Sequence, residues 1–130
     1  MSRIVPYLRY HDVARARDFL ITAFGFRERK RPAAPEGKHS HSHVELELDD
    51  GSWIKMGRPH TGNERAARGE HSWVTIQVEI DDVDAHFARA KAAGATIVDD
   101  VQDNPYGDRF YRAVDPEGQL WSFVRLAAHE

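Results

Sequence analysis

The sequence predicts an α+β fold built from two pseudo-symmetric βαβββ modules that form a cupped mixed sheet. Three observations predict it: the same order of segments occurs twice, both helices carry the same start and stop signals, and both halves end in a turn between two strands. The predicted boundaries are 1–57 for the first module, 58–71 for a polar linker and 72–126 for the second module. A single domain, 1–130, is therefore expected.

Each half opens with an alternating strand, an Asp-Val pair and a helix that ends at glycine. Asp12 and Asp82 precede the two helices in the same way, and Gly25 and Gly94 follow them. Aspartate at this position accepts the free backbone N–H groups of the first helical turn, while glycine suits the left-handed conformation after a helix. The spacing therefore predicts two helices with matching ends.

Each helix is followed by three strands, and the last two are joined by a turn. The turns are Asp49–Gly51 in the first half and Asp115–Gly118 in the second. Alternation along the strands predicts that one face of each sheet lies under its helix, while the other carries polar and aromatic side chains. A half-wet concave face of this kind is where a small ligand would bind.

Aromatic residues of the last two strands divide between the two faces. Trp121 and Phe123 flank Ser122 on the opposite side of the strand, and we expect them in the helix-packed core. Which of Phe110 and Tyr111 faces the cleft stays open, because the four-residue turn makes the strand parity uncertain.

Composition narrows the functional class. The chain of 130 residues carries 18 basic and 21 acidic side chains, a formal net charge of −3, and no cysteine. Dispersed basic residues on a mildly acidic chain do not favour nucleic-acid binding, and the short apolar runs cannot span a membrane. The absence of cysteine excludes disulfides, thiolate metal sites and cysteine nucleophiles, and it suits a reducing compartment. Since no signal peptide is recognisable, we expect a cytoplasmic protein.

Four stretches of the sequence resemble those of a known family. They are PYLRYHDVARARDFLITAFGF, HVELELDDGSWIKMG, VEIDDVDAHFARAKAAGATIV and NPYGDRFYRAVDPEGQLWSF. The chain resembles the vicinal oxygen chelate superfamily, which holds glyoxalase I, the bleomycin resistance proteins and the extradiol dioxygenases. DPEGQLWSF is a fairly specific signature of its short members. The resemblance implies a glyoxalase/bleomycin-resistance-like fold and a homodimer in which a second subunit completes the cleft, but it says little about chemistry.

Enzymes of that family hold one divalent metal ion with four side chains. The resemblance places those positions at Val5, Lys55, Thr75 and Ser122. An aliphatic side chain or an ammonium group cannot coordinate a cation, and hydroxyls alone are poor ligands for catalytic zinc, nickel or iron. We therefore expect no metal at the family's usual site, and no other cofactor.

The polar face and its neighbouring loops supply the candidate ligand-binding residues. They are Tyr7, His43, Glu45, Trp53, Lys55, Trp73, Thr75, Tyr106, Arg109 and Ser122. Trp53 and Trp73 are candidates for stacking a flat ligand. Lys55 either supplies positive charge to an anionic or carbonyl-bearing ligand, pairs with Glu45 or Glu47 across the hairpin, or reaches solvent from the end of the strand.

The loop before the penultimate strand has two interpretations. Tyr106 and Arg109 close over a ligand in one of them. In the other, Tyr106 anchors the loop and Arg109 pairs with a nearby aspartate, which is Asp99, Asp100 or Asp103.

Three histidines, His39, His41 and His43, alternate with serine and would share a strand face with Glu45. Imidazoles with a carboxylate can bind zinc or nickel. Same-face neighbours lie about 6.5–7 Å apart, however, which is too far for three consecutive ones to bind one ion. The segment is either a flexible, adventitious metal binder or a solvated strand end, and His43 with Glu45 is the pair expected in the cleft.

Two functions are consistent with these patterns. The first is a metal-independent small-molecule-binding protein that sequesters an antibiotic in the cleft of a dimer. The alternative is a lyase, isomerase or dioxygenase with a relocated metal site, or with metal-free acid–base catalysis by His43 or Glu45 and charge stabilisation by Lys55 or Arg109. A regulatory module with a vestigial cleft is a third interpretation. The expected partners are a small molecule and a second copy of the chain, with no nucleic acid and no membrane.

Overall fold

The computed structural model of the protein describes residues 2–29, 43–59 and 74–128. Its first half contains β1 (Tyr7–Arg9), α1 (Val13–Phe24), β2 (Arg27–Glu28), β3 (His43–Glu47) and β4 (Trp53–Gly57). Its second half contains β5 (Thr75–Glu79), α2 (Val83–Ala92), β6 (Thr96–Asp103), β7 (Arg109–Val114) and β8 (Leu120–Arg125). The predicted order of elements in each half is confirmed.

The strands form two four-stranded mixed sheets with the same topology. Their orders are β1-β4-β3-β2 and β5-β8-β7-β6. In each sheet the first strand runs parallel to the last, and the remaining pairs are antiparallel. The predicted α+β class is confirmed. Within the described ranges, neither helix has the length and apolar content that a bilayer-spanning helix needs.

Both helix starts and the end of α1 have the predicted chemistry, whereas α2 has Ala93 at its C-terminal cap, with a φ of −83°, and Gly94 follows one residue later with a φ of 91°. Asp12 accepts a hydrogen bond from the backbone N–H of Arg15 at 3.0 Å, and Asp82 accepts one from that of Ala85 at 3.0 Å. Gly25 ends α1 with a φ of 82°, in the left-handed region where a side chain would be strained. The side-chain caps explain why both helices begin directly after an aspartate.

One aromatic cluster joins the two halves. The ring of Phe24, at the end of α1, lies 5.6 Å from that of Trp121 and 4.7 Å from that of Phe123, both on β8. His86 of α2 lies 4.2 Å from Phe123, and Tyr111 of β7 lies 5.2 Å from it. Trp121 and Phe123 are 0% exposed, as predicted for core residues. The helix-covered faces of both sheets therefore share one core.

The turn between β7 and β8 reaches back to the first half. The carboxylate of Glu117 accepts hydrogen bonds from the backbone N–H groups of His11 at 2.6 Å and Asp12 at 2.8 Å. Buried Asp115 accepts from the hydroxyl of Tyr10 at 2.6 Å and from Nε1 of Trp121 at 3.2 Å. The signature DPEGQLW thus fixes the start of α1 to the second sheet.

The second face of each sheet is turned away from the helices. On β4, Ile54 and Met56 are buried in the core, while Trp53 and Lys55 point to the other side and are half-buried. We call these surfaces the first and second open faces. The first carries Tyr7, Arg9, Arg27, Arg29, His43, Glu45, Glu47, Trp53 and Lys55. The second carries Thr75, Gln77, Glu79, Phe110, Arg112 and Ser122.

Alternation fails at one point just before β5. Val74 continues the predicted apolar row of Ile76 and Val78, yet it is 57% exposed. Val74 lies one residue before the start of β5. The apolar row is therefore shorter than the sequence pattern suggests.

Candidate functional site

The middle row of the first open face crosses three strands. Tyr7 of β1, Lys55 of β4 and Glu45 of β3 lie in register. Glu45 is buried, and its carboxylate accepts a hydrogen bond at 3.1 Å from the guanidinium of Arg29, which follows β2. The backbone N–H of Arg29 also donates to the carbonyl of Glu45 at 2.8 Å. The predicted site residue Glu45 is therefore held by Arg29, a partner that no pattern in the sequence indicates.

Trp53 lies on the same face as Lys55, two residues before it on β4. The guanidinium carbon of Arg29 is 3.9 Å from the centroid of a Trp53 ring, within the range of a cation–π contact. Nε1 of Trp53 is buried and has no hydrogen-bond partner in the described part of the chain. A buried N–H without an acceptor costs about 1–3 kcal/mol. Among the described residues, Nε1 of Trp53 is thus a buried donor whose hydrogen-bonding capacity is unused.

The ring of Tyr7 is held against the edge of the first sheet. Its centroid is 3.7 Å from the guanidinium carbon of Arg9 and 5.3 Å from Nζ of Lys55. A methyl group placed on Gly57 of β4 would lie 2.7 Å from the hydroxyl oxygen of Tyr7 and 2.9 Å from Cε1. Gly57 thus leaves the room that the ring occupies, a role that nothing in the sequence pattern indicates.

Lys55 does not form the ion pair that one interpretation of the sequence predicts. Glu45 pairs with Arg29 at 3.1 Å, and Glu47 pairs with Arg27 at 3.6 Å. In the described ranges, no carboxylate pairs with Lys55. Its ammonium group is left as a half-buried positive charge on the first open face.

The second open face has Ser122 at its centre. Ser122 is buried and lies in register with Arg112 of β7. The guanidinium of Arg112 pairs with Asp99 at 2.9 Å and lies 4.6 Å from the ring centroid of Phe110. Phe110 and Arg112 therefore belong to this face and Tyr111 to the core, which resolves the parity that the sequence leaves open. The register of Arg112 with Ser122, which the four-residue turn leaves undetermined in the sequence, places both residues on this face.

Thr75 lies at the start of β5 and is exposed. It is in register with Leu120 of β8, two residues before Ser122. Both Thr75 and Ser122 therefore lie on the second open face, while Lys55 and Trp53 lie on the first.

Arg109 is directed towards α2. Its Nη2 is 2.8 Å from a carboxylate oxygen of Asp84, and its Nη1 is 3.1 Å from one of Asp103. The hydrogen bond from Arg109 holds the pKa of Asp84 below its usual range, and the two carboxylates raise the pKa of Arg109. Asp103 is one of the three partners that the sequence analysis names. A contact between Arg109 and a ligand stays a prediction.

The remaining predicted residues lie at the margins. Tyr106 is 81% exposed, and its backbone N–H donates to Oδ1 of Asn104 at 3.0 Å within the loop. His43 is exposed at the start of β3. Trp73, His39 and His41 lie outside the described residues.

A groove of about 970 Å³ lies between the two halves. Its lining includes Phe24 and Phe26 from the end of α1, Val78 of β5 and His86 of α2, with Asp81 at its rim. The lining contains none of the four positions at which the resemblance places metal ligands. The groove nevertheless borders both open faces, because Trp53 of the first and Gln77 and Glu79 of the second are among its lining residues.

A family model describes nearly the whole chain. Residues 2–123 match the model of the Glyoxalase/Bleomycin resistance protein/Dioxygenase superfamily. The chain belongs to this superfamily. The resemblance inferred from the four sequence stretches is confirmed.

Individual proteins are similar to this chain along most of their length. The uncharacterized protein Mb0911c of Mycobacterium bovis is 35% identical over 123 residues, which are 90% of this chain and 78% of that protein. The crystal structure of TioX from Micromonospora sp. ML1 has 36% sequence identity and a TM-score of 0.73, covering 99% of both chains. The fosfomycin resistance protein FosX from Mesorhizobium loti, at 16% identity and a TM-score of 0.66, covers 97% of this chain and 92% of its own and shares the fold.

The donors at the superfamily's metal positions do not fit a divalent cation. Val5 has no donor atom, Lys55 carries a positive charge, and Thr75 and Ser122 offer only hydroxyls. Among the described residues, no group of three or more His, Asp or Glu side chains is arranged to hold a metal ion. The superfamily's usual ligand set is thus replaced by one ammonium group, two hydroxyls and an isopropyl group.

Proposed function

We propose that the protein is a metal-independent small-molecule-binding protein that sequesters an antibiotic or a related compound in the cleft of a homodimer. One observation carries the proposal: the open faces keep aromatic and polar side chains where the superfamily binds its ligands, while the metal positions hold Val5, Lys55, Thr75 and Ser122. Such a surface can bind and orient a small molecule, but it offers no donor set for Lewis-acid chemistry of the superfamily's usual kind.

The proposed homodimer follows from how the two halves meet. Both sheets pack their helix-covered faces onto one aromatic core, so the open faces are turned away from that core. Each open face alone is half of a cleft. A second copy would supply the opposing face, and light scattering on the purified protein should then give twice the monomer mass.

A catalytic role receives less support. The alternative function requires His43 or Glu45 as a general base, and a base must be within reach of the proton that it removes. Glu45 is buried and held by Arg29 at 3.1 Å. This ion pair favours binding over acid–base catalysis by Glu45. The cysteine-free composition fits a reducing compartment, and we propose that binding takes place in the cytoplasm.

Titration followed by tryptophan fluorescence tests the binding function. Trp53 lies on the first open face, so a ligand in the cleft should quench its emission. We expect saturable quenching by at least one member of a panel of aromatic and glycopeptide antibiotics, and a smaller signal change in Trp53→Phe. A flat response to the whole panel would contradict the proposal.

Metal analysis tests the proposed independence from metal ions. Protein purified without a histidine tag should contain less than a stoichiometric amount of zinc, nickel or iron, and a chelator should leave ligand affinity unchanged. Stoichiometric bound metal would favour the enzyme alternative with a relocated site.

A further inference from the structure

The first open face carries a surplus of positive charge. Its four cationic and two anionic side chains are Arg9, Arg27, Arg29, Lys55, Glu45 and Glu47. Each carboxylate is paired with an arginine, Glu45 with Arg29 and Glu47 with Arg27, and Arg27 also pairs with Asp49 of the neighbouring turn at 3.4 Å. The face is therefore positive although the chain has a formal net charge of −3.

Two donors on this face have no acceptor in the described part of the chain. They are the ammonium group of Lys55 and the indole N–H of Trp53, which project from the same side of β4 two residues apart. Same-face neighbours on a strand are separated by about 6.5–7 Å, so one ligand can reach both. A buried indole N–H and a half-buried ammonium group both gain from a negatively charged oxygen.

The surroundings of these donors are aromatic. Tyr7 lies in register with Lys55 and its ring is 5.3 Å from Nζ, while the ring of Trp53 belongs to the same surface. The second open face has no positive surplus, since the charge of Arg112 is paired with Asp99 at 2.9 Å and Glu79 adds a negative charge. The anionic end of a ligand is therefore expected on the first open face.

We propose that the ligand is a planar aromatic molecule bearing an oxyanion group, whose charged oxygen binds Nζ of Lys55 and accepts a hydrogen bond from Nε1 of Trp53. This inference rests on the proposed binding function and narrows its ligand class. Lys55 occupies one of the superfamily's metal positions, so a fixed ammonium group serves the anionic oxygen there instead of a divalent cation.

A pair of fluorescent dyes separates the contribution of the oxyanion from that of the ring system. Anilinonaphthalene sulfonate carries an oxyanion, and phenylnaphthylamine is its uncharged parent with the same rings. With the full chain, we expect the sulfonate to bind at least about tenfold more tightly, the effect of one charge-assisted hydrogen bond. The ratio of the two dissociation constants should shrink as ionic strength rises.

Variants test whether Lys55 and Trp53 cause the preference for the sulfonate dye over its uncharged parent. Lys55→Met, with Lys55→Gln as a second neutral variant, should bring the ratio close to one, and Lys55→Arg should keep most of it. Trp53→Phe retains an aromatic ring without the N–H and should lower the ratio severalfold. Lys91→Met removes the same charge from the exposed surface of α2 and should leave the ratio unchanged. Circular dichroism confirms that each variant is folded.

The outcomes distinguish this inference from the proposed function. If both dyes bind saturably and Lys55→Met leaves their ratio unchanged, the inference is overturned while the binding function stands. Failure of both dyes to bind would count against both. An equal loss of affinity for the two dyes in Trp53→Phe would show that the indole N–H does not contribute to binding of the anionic group.

Discussion

The phenolic hydroxyl of Tyr10 donates a 2.6 Å hydrogen bond to a carboxylate oxygen of Asp115, and both residues are buried. The two are separated by 105 positions in the chain. The bond therefore links the end of the first strand in one half to the last turn of the other half.

Removal of this hydroxyl should destabilise the protein. In Tyr10→Phe the buried carboxylate of Asp115 loses one of its donors, and the expected loss of unfolding free energy is about 1–3 kcal/mol. Urea unfolding followed by circular dichroism measures it. Tyr106→Phe is the matched control, because the side chain of Tyr106 is 81% exposed and its change should stay within about 0.5 kcal/mol. Equal losses of unfolding free energy in the two variants would contradict a stabilising role for the hydroxyl of Tyr10.

Glu117→Gln should also weaken the contact between the halves. The two carboxylate oxygens of Glu117 accept from the backbone N–H groups of His11 and Asp12, but an amide offers only one acceptor and turns a donor towards the other N–H. We expect a loss of about 1–3 kcal/mol, seen as a lower urea midpoint at an unchanged slope. Glu28→Gln, on exposed β2, should leave the midpoint nearly unchanged. A midpoint shift of equal size in both variants would argue against this role.

Stability should depend on pH through His86. Its Nε2 is 3.1 Å from the carbonyl oxygen of Phe24, which can only accept, and its Nδ1 is 2.5 Å from the hydroxyl of Tyr111. In the neutral ring, Nε2 carries the proton that is donated to Phe24, and Nδ1 is left to accept from Tyr111. Burial lowers the pKa of His86 below 6.5, and the charge of Arg89 adds to this effect.

The direction of the pH dependence of stability follows from the lowered pKa of His86. A group whose pKa is lower in the folded state contributes stability above the unfolded pKa, and this stability is lost as the pH falls through the folded pKa. Unfolding free energy should therefore drop below pH 6.5, by up to about 1.4 kcal/mol per pH unit from this one group. The drop should be shallower in His86→Gln, whereas His11→Gln, which removes an exposed imidazole, should retain it. Parallel pH profiles for the wild type and His86→Gln would contradict the argument.

Gly57→Ala should displace the ring of Tyr7. The new methyl group would lie 2.7 Å from the hydroxyl oxygen of Tyr7, and the side chain can avoid it only by swinging away from the sheet. We expect a severalfold loss of affinity for the sulfonate dye with little change in unfolding free energy. In a Tyr7→Ala background the same substitution should have no further effect on affinity. An additive effect there would mean that Gly57 acts on the site by another route.

Local rules predicted the elements and the core. Asp12 and Asp82 were identifiable as helix caps because the cap depends on residues three positions away. Trp121 and Phe123 were identifiable as core because strand alternation fixes their face relative to Ser122.

The contacts of the site and of the junction between the halves were harder to predict from the sequence, because they join distant parts of the chain. Arg29 reaches Glu45 across 16 positions and Glu117 reaches His11 across 106. No periodic pattern indicates either partner. The role of Gly57 depends on where the ring of Tyr7 lies, which only the sheet register determines. Sequence patterns therefore identified the face but not the pairing of its charges.

The turn that carries Asp115 and Glu117 leads us to expect that the two similar halves depend on each other for folding. A fragment ending before residue 74 would start α1 without acceptors for the N–H groups of His11 and Asp12, and the complementary fragment would bury Asp115 without Tyr10. We expect neither piece to fold by itself, because each contains hydrogen-bonding groups whose partners lie in the other piece. Two such pieces, produced separately and mixed, should reassemble by fragment complementation, which would turn this protein into a split reporter whose signal requires both halves.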